Sequence, residues 1–177
     1  MDLARLLRER SERDQFLVEH YGSPLPEEHR PGFSGLDYFP PDANWELAGN
    51  YAPASPRKVP VPSSVGIDSH YTMLGVVTLS IGASTYRLTV LDDGDGGAFI
   101  PFRDGTSGAE TYSGGRYVGV GADAAGAVTV DFNTAQNPWC VYDEEFTCPL
   151  PPTENWIVER IPAGVKAYEP PDQTMVG

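Results

Sequence analysis

Lysine is almost missing from this chain: only Lys58 and Lys166 stand among its 12 basic residues, against 25 Asp and Glu. The formal net charge of −13 and the pI near 4.4 repel phosphate backbones and anionic lipid, so neither a nucleic-acid partner nor a membrane surface is expected. Carboxylates stay hydrated in concentrated salt, which at molar strength screens their repulsion within about 3 Å. That balance leads us to expect a halophilic, archaeal source. Cysteine is scarce as well. Cys140 and Cys148 form no C-x-x-C pair, no disulfide framework, and no zinc site, for which two further ligands are wanting. The expectation is a structural pair of thiols, with a redox or nucleophilic cysteine as the alternative. No apolar run is long enough to span a bilayer, and residues 1–13 alternate Leu with Arg and Glu where a leader would be apolar, so a cytoplasmic location is expected.

Histidine is limited to His20, His29 and His70, none in a catalytic spacing, and Ser107-Gly108 is not a G-x-S-x-G elbow. Covalent hydrolysis by a triad is therefore not expected, nor is any cofactor or bound metal. The aspartates of Asp92-Asp93-Gly94-Asp95-Gly96-Gly97 lack both the calcium-loop spacing and its distal Glu, which leaves a solvated turn.

What is abundant is glycine and proline, 19 and 17 residues spread along 177, which suits short strands joined by tight turns. The length fits one domain of the usual roughly 100–200 residues. Leu3, Leu6, Leu7 and Leu17 fall near one stripe at helical spacing and predict an amphipathic helix within residues 1–22, supported by Glu9 and Arg13 at i, i+4 and stopped by Gly22 and Pro24. Mixed charge on its polar face favours docking on its own domain over a membrane. Residues 23–177 then form one β domain. Alternation predicts a hairpin from residues 71–81 and 85–91 around Gly82-Ala83-Ser84. Further strands are expected at 44–49, 57–61 (an edge, because of Pro60), 98–102, 116–120, 127–132, 156–161 and 166–168, with a Gly-rich turn at 121–126. The fold class is mainly β: an antiparallel sandwich or partly open barrel of eight or nine strands behind an N-terminal amphipathic α-helix.

Between two of those strands, residues 102–117 carry Arg103, Asp104, Thr106, Thr111, Tyr112 and Arg116 among four glycines. A guanidinium grips carboxylate or phosphate with two parallel donors, and hydroxyls and backbone N–H groups complete such a pocket. The competing reading is that Asp104 and Glu110 neutralise the arginines locally. A second polar stretch comes after it, with Asn133 and Asn137 as ligand-orienting amides and Cys140, Cys148 and Asn155 as structural elements. Its carboxylates Asp131 and Glu154 are the candidates for acid–base work, since paired carboxylates that share a site split their pKa values.

With these residues in view, the chain resembles a bacterial and archaeal family known as Domain of Unknown Function 1684. The resemblance rests on an ordered set of motifs: Gly35-Leu36-Asp37-Tyr38-Phe39-Pro40, Phe99-Ile100-Pro101-Phe102-Arg103-Asp104-Gly105-Thr106-Ser107-Gly108, Thr111-Tyr112, Gly115-Arg116-Tyr117, Asp131-Phe132-Asn133, Asn137-Pro138, Cys140, Cys148-Pro149-Leu150-Pro151-Pro152 and Glu154-Asn155. It implies an N-terminal helix and no established activity. Where the family pattern runs Ala-Gly-Glu-Lys, this chain has Ala163-Gly164-Val165-Lys166.

The expected function is a cytoplasmic binding domain for a small anionic or polar ligand, held between the Arg103 to Arg116 loop and the Asn133 to Asn155 excursion. The alternatives are a hydrolase or lyase using Asp131 or Glu154, and a protein-interaction module without a pocket. From the charge balance we predict a melting temperature that rises between dilute buffer and molar KCl; a protein more stable in dilute buffer would contradict it.

Overall fold

A computed structural model describes residues 1–121 and 125–171. The chain opens with α1, Leu3–Glu19, whose first turn is capped by Asp2: its side chain accepts from the Arg5 N–H at 3.0 Å. Leu6 and Leu17 are buried, whereas Leu3 and Leu7 face solvent. The inward stripe runs instead through Leu6, Arg10, Asp14 and Leu17, because polar groups dock it. Arg10 donates to the Phe39 and Asn133 carbonyls at 3.1 Å each, and Asp14 accepts from the Leu36 N–H at 3.1 Å. The ion pair on the helix is Arg5 with Glu9, at 3.7 Å, rather than Glu9 with Arg13.

Six strands come next: β1 (Glu46–Val61), β2 (Ser69–Ile81), β3 (Ser84–Asp92), β4 (Ala98–Phe102), β5 (Arg116–Gly119) and β6 (Gly126–Asp131). They form one antiparallel sheet in the order β5-β4-β3-β2-β1-β6, curled into a half-barrel. The two pieces expected at 44–49 and 57–61 are a single strand with a register shift between Pro53 and Arg57. β6 pairs only with Glu46 through Tyr51; beyond that point β1 has one neighbour, and Pro53, Pro56 and Pro60 all lie in this one-sided half, where a missing N–H costs nothing. The β2–β3 hairpin closes from Ile81 to Ser84 around Gly82, whose φ of +58° is available to glycine at little cost. The turn expected at 121–126 lies partly outside the described residues.

Inward-facing Val77, Leu79, Leu88, Val90, Ile100, Phe102, Val118 and Val130 pack with Phe132, Ile157 and Ile161 into one core. Phe102 and Phe132 meet edge to face at 5.0 Å, the arrangement their ring quadrupoles favour. Residues 156–161 are not a strand. They alternate as expected, Ile157 and Ile161 inward and Trp156 and Val158 outward, but the segment touches a neighbour through one parallel bridge to Arg103, and Pro162 ends it. Residues 166–168 contribute no strand either; Val165 bridges Tyr38.

This irregular C-terminal segment acts as a strap. β3 and β4 pair only at Leu91 with Phe99 and Asp92 with Ala98, and as they diverge the Asn155 amide enters the gap. Its Oδ1 accepts from the Thr89 N–H at 2.7 Å, and its Nδ2 donates to the Thr89 and Pro101 carbonyls at 3.0 and 2.7 Å. A buried amide thus replaces the missing ladder bonds. Asn155→Ala leaves three buried backbone groups unpaired and is predicted to cost about 3 kcal/mol, read as a lower urea midpoint with unchanged slope.

Candidate functional site

Gly115 and β5 turn Arg116 inward, where its side chain has no solvent exposure. Nη2 donates to Asp104 Oδ1 at 3.2 Å and to the Ile161 carbonyl at 3.1 Å; Nη1 donates to the carbonyls of Val165, at 3.1 Å, and Ala163. The Phe102 ring lies 5.1 Å from the guanidinium carbon. Burial pushes the guanidinium pKa down and Asp104 pushes it back up. Asp104 is equally committed: Oδ2 accepts from the Ile161 N–H at 2.7 Å and the Thr106 N–H at 3.1 Å, and the Thr106 hydroxyl lies 2.9 Å from both oxygens. Thr111 closes the group at 3.0 Å from Thr106.

The expectation that Arg116, Asp104, Thr106 and Thr111 hold a ligand is therefore corrected. Their side chains are buried, and apart from Arg116 Nε, which has no partner among the described residues, their polar atoms are engaged with one another and with the strap. Asn133 is withdrawn for the same reason. Its Oδ1 accepts from the Asp42 N–H at 2.9 Å, and its Nδ2 donates to the Asp42 carbonyl and to Asp131 at 2.9 and 2.8 Å. Asp131 caps the short 3₁₀ turn Phe132–Thr134, while Glu154 is exposed and accepts from the Thr89 hydroxyl at 3.1 Å. The two carboxylates share no partner.

Three of the expected ligand residues keep free chemistry. Arg103 is half-buried with its guanidinium carbon 4.9 Å from the exposed Trp156 ring, a cation–π contact that leaves its donors to solvent. Asn137 donates to the Lys166 carbonyl at 3.1 Å, and its buried Oδ1 has no partner among the described residues. Tyr112 carries a phenol raised above its ordinary range chiefly by burial, with the Cys140 and Cys148 charges adding to it.

Cys140 and Cys148 are free thiols in contact, the first partly exposed and the second buried. The short 3₁₀ turn Trp139–Val141 directs the Cys140 N–H at the Cys148 sulfur, 3.3 Å away. Ser64 pins the other side: its N–H donates to the Cys148 carbonyl at 3.0 Å, and the Cys148 N–H donates to its hydroxyl at 3.1 Å. Cys140 is held below the ordinary thiol range because Cys148 donates to its sulfur, with burial opposing and Ser64 and Tyr112 assisting. Cys148, which keeps the shared proton, is raised by that bond and by burial.

Beside this pair opens a cavity of about 500 Å³, walled by Tyr71, Phe99, Tyr117, Trp139 and Phe146, with Asn137, Cys148, Asp93 and Asp95 also lining it. Phe99 lies 6.4 Å from Tyr71 and 5.0 Å from Tyr117 between ring centres, and Trp139 meets Phe146 edge-on at 5.3 Å. Neither Arg103 nor Arg116 lines it. Sequence reasoning passed over these aromatics, although alternation marks two of them: Phe99 and Tyr117 sit out of phase with buried Ile100 and Val118, large rings on a face that needs a cover. A second hollow of about 340 Å³ includes Asp37, Glu110, Lys166, Tyr168 and Glu169; Lys166 pairs with Asp37 at 2.9 Å and Glu110 with Arg160, so its one cation is already engaged.

Fold and site together define an antiparallel half-barrel whose irregular C-terminal half covers an aromatic cavity next to a dithiol. Residues 31–166 match the family described as "Protein of unknown function (DUF1684)", and the chain belongs to that family. It is similar to an uncharacterized protein of Haloarcula marismortui, solved by solution NMR, with 33% identity, 92% of each chain covered and a TM-score of 0.73. No curated protein matches the chain. No helix among the described residues is long and apolar enough to cross a membrane, and none of their His, Cys, Asp and Glu side chains group into a metal cluster. Arg116→Met would strand the Asp104 carboxylate without its buried partner, and we predict a loss of about 3–5 kcal/mol of stability, measured by urea unfolding; a loss under about 1 kcal/mol, the ordinary value of an exposed pair, would refute the burial argument.

Proposed function

We propose that the protein is a cytoplasmic small-ligand-binding domain of a halophilic archaeon, with its site in the aromatic cavity. The observation that carries this reading is the cavity itself: about 500 Å³, five aromatic walls, and a convergent amide, thiol and pair of carboxylates. Volumes of a few hundred Å³, apolar walls and a few placed polar groups are the usual make-up of a ligand site. Of the residues expected to hold a ligand only Asn137 lines it, and no residue from Arg103 to Arg116 does.

The ligand's charge is revised. Among the described residues no Lys, Arg or His lines the cavity, whereas Asp93 and Asp95 do, so an anion would meet negative potential with no compensating donor of charge. Aromatic faces attract cations by their quadrupoles, at about 0.5–2 kcal/mol per contact. A small organic cation or a neutral molecule with a flat apolar body suits the site. The carboxylate-based hydrolase or lyase gains no support, because neither Asp131 nor Glu154 lines the cavity.

The test is a titration with benzyltrimethylammonium, monitored by tryptophan fluorescence and by calorimetry, beside benzoate as the anion of similar bulk. We expect saturable binding of the cation, weaker for benzoate by about tenfold or more, and lost in Phe99→Ala without loss of far-UV dichroism. Tighter binding of benzoate, survival of binding in Phe99→Ala, or no response to the cation would each overturn the reading.

A further inference from the structure

We propose that Cys140 and Cys148 form a reversible dithiol–disulfide site that exchanges with low-molecular-weight disulfides, Cys140 attacking and Cys148 resolving. This stands on the thiol pair itself and is independent of the cavity ligand.

The geometry separates it from a packing pair. Thiols kept only for volume sit among apolar groups, and burial then raises both pKa values. Here a polar contact joins the two residues: the Cys140 N–H reaches the Cys148 sulfur at 3.3 Å. A backbone donor on that sulfur stabilises Cys148 as a thiolate at the moment it resolves the mixed disulfide. The pair is also unequal in access, with Cys140 partly exposed and Cys148 buried, the division that attack and resolution require.

The chain between them is already closed. Cys148 lies eight positions after Cys140, the Trp139–Phe146 contact clasps the loop, and the Ser64 hydroxyl donates to the Phe146 carbonyl at 3.4 Å. Little further chain entropy is lost when the bond forms, since the loop is short and held in the reduced state. Asp93 and Asp95 line the cavity with Cys148, as do the phenols of Tyr71 on β2 and Tyr117 on β5; a third phenol, that of Tyr112, lies in the loop before β5. All three are raised above the ordinary phenol range, chiefly by burial. They stay neutral at pH 7, and the proton lost from this group near neutrality is a thiol proton.

Atoms and electrons balance in the exchange. The Cys140 thiolate attacks one sulfur of the small disulfide, the S–S bond of that molecule breaks, and its other half leaves as a thiolate that takes a proton from water. Cys148 gives its proton to water and attacks the Cys140 sulfur, expelling the second half. Two electrons pass from protein to small disulfide, leaving two small thiols and a Cys140–Cys148 bond. Excess small thiol runs the sequence backwards.

The test uses the full chain with 2-hydroxyethyl disulfide under argon at neutral pH, read by intact mass and thiol release. Wild type is expected to lose two hydrogens in mass and release two equivalents of small thiol per protein, with no adduct retained. Cys148→Ser is expected to keep one mixed disulfide on Cys140, and Cys140→Ser to react at least about tenfold more slowly, as an ordinary buried thiol does. Far-UV dichroism checks that both variants fold; if either does not, the wild-type stoichiometry decides alone. Wild type retaining an adduct, thiols that react only after unfolding, or a folded Cys140→Ser that exchanges at the wild-type rate would overturn the proposal. A second reading separates it from mere accessibility: iodoacetamide should alkylate wild-type Cys140 with a midpoint below the ordinary thiol pKa of about 8.5, and a midpoint at or above that value would count against it.

Discussion

A guanidinium sealed from water governs how the C-terminal half of this molecule is arranged. Arg116 meets Asp104 and three strap carbonyls, those of Ile161, Ala163 and Val165. Two problems solve each other here. A strap without regular secondary structure leaves buried carbonyls that no ladder donor reaches, and a buried cation needs partners for its donors, which Arg116 finds for the four on Nη1 and Nη2 though not for Nε. Removing either partner exposes the other's desolvation cost, which is why such pairs act as locks on one arrangement more than as sources of net stability. The loop after β4 and the strap are thereby fixed in mutual register, and Thr106 and Thr111 fill the remaining positions around Asp104.

That lock sets the placement of everything with free chemistry. With the strap held, Asn155 completes the diverging β3–β4 ladder, and Tyr117, the residue after Arg116, projects to the opposite face of β5. The excursion that carries Cys140 and Cys148 is tied back through Ser64 to the turn after β1 and through the bridge from Gln136 to Tyr117. Its aromatic residues then cover Phe99 and Tyr117. The cavity is thus the space left between a rigid sheet face and an irregular cover pinned at several points.

The sheet was legible in the sequence because its signals are local. Val77, Leu79, Ile81, Leu88 and Val90 alternate, and Gly82 marks the turn. The count of strands was less legible, since alternation at residues 156–161 reports which side chains point inward and says nothing about whether a ladder partner exists. Polar residues were harder still. Arg116 in a glycine-rich loop has the composition of an anion site, and only the path of residues 161–165, far away in sequence, reveals that three of its four terminal donors go to backbone carbonyls. The cavity aromatics were overlooked for the converse reason: Tyr71, Phe99, Trp139 and Phe146 look individually like core, and their convergence is a long-range fact.

The residues by which the chain resembles its family divide along the same line. Asp104, Thr106, Thr111, Arg116, Asn133 and Asn155 direct their polar side chains at the chain's own backbone or at one another, so a motif built from them specifies a fold. The departure at Val165 fits that division: its backbone N–H donates to the Ala135 carbonyl at 3.0 Å and its carbonyl accepts from Arg116, contacts made by the backbone and not by the side chain. Cys140 and Cys148 differ in kind, because a backbone N–H is directed at one sulfur and the residue that carries the other is partly exposed. Chemistry in this protein is therefore to be sought where polar groups are arranged around an atom that can react, not where polar residues are most densely written in the sequence.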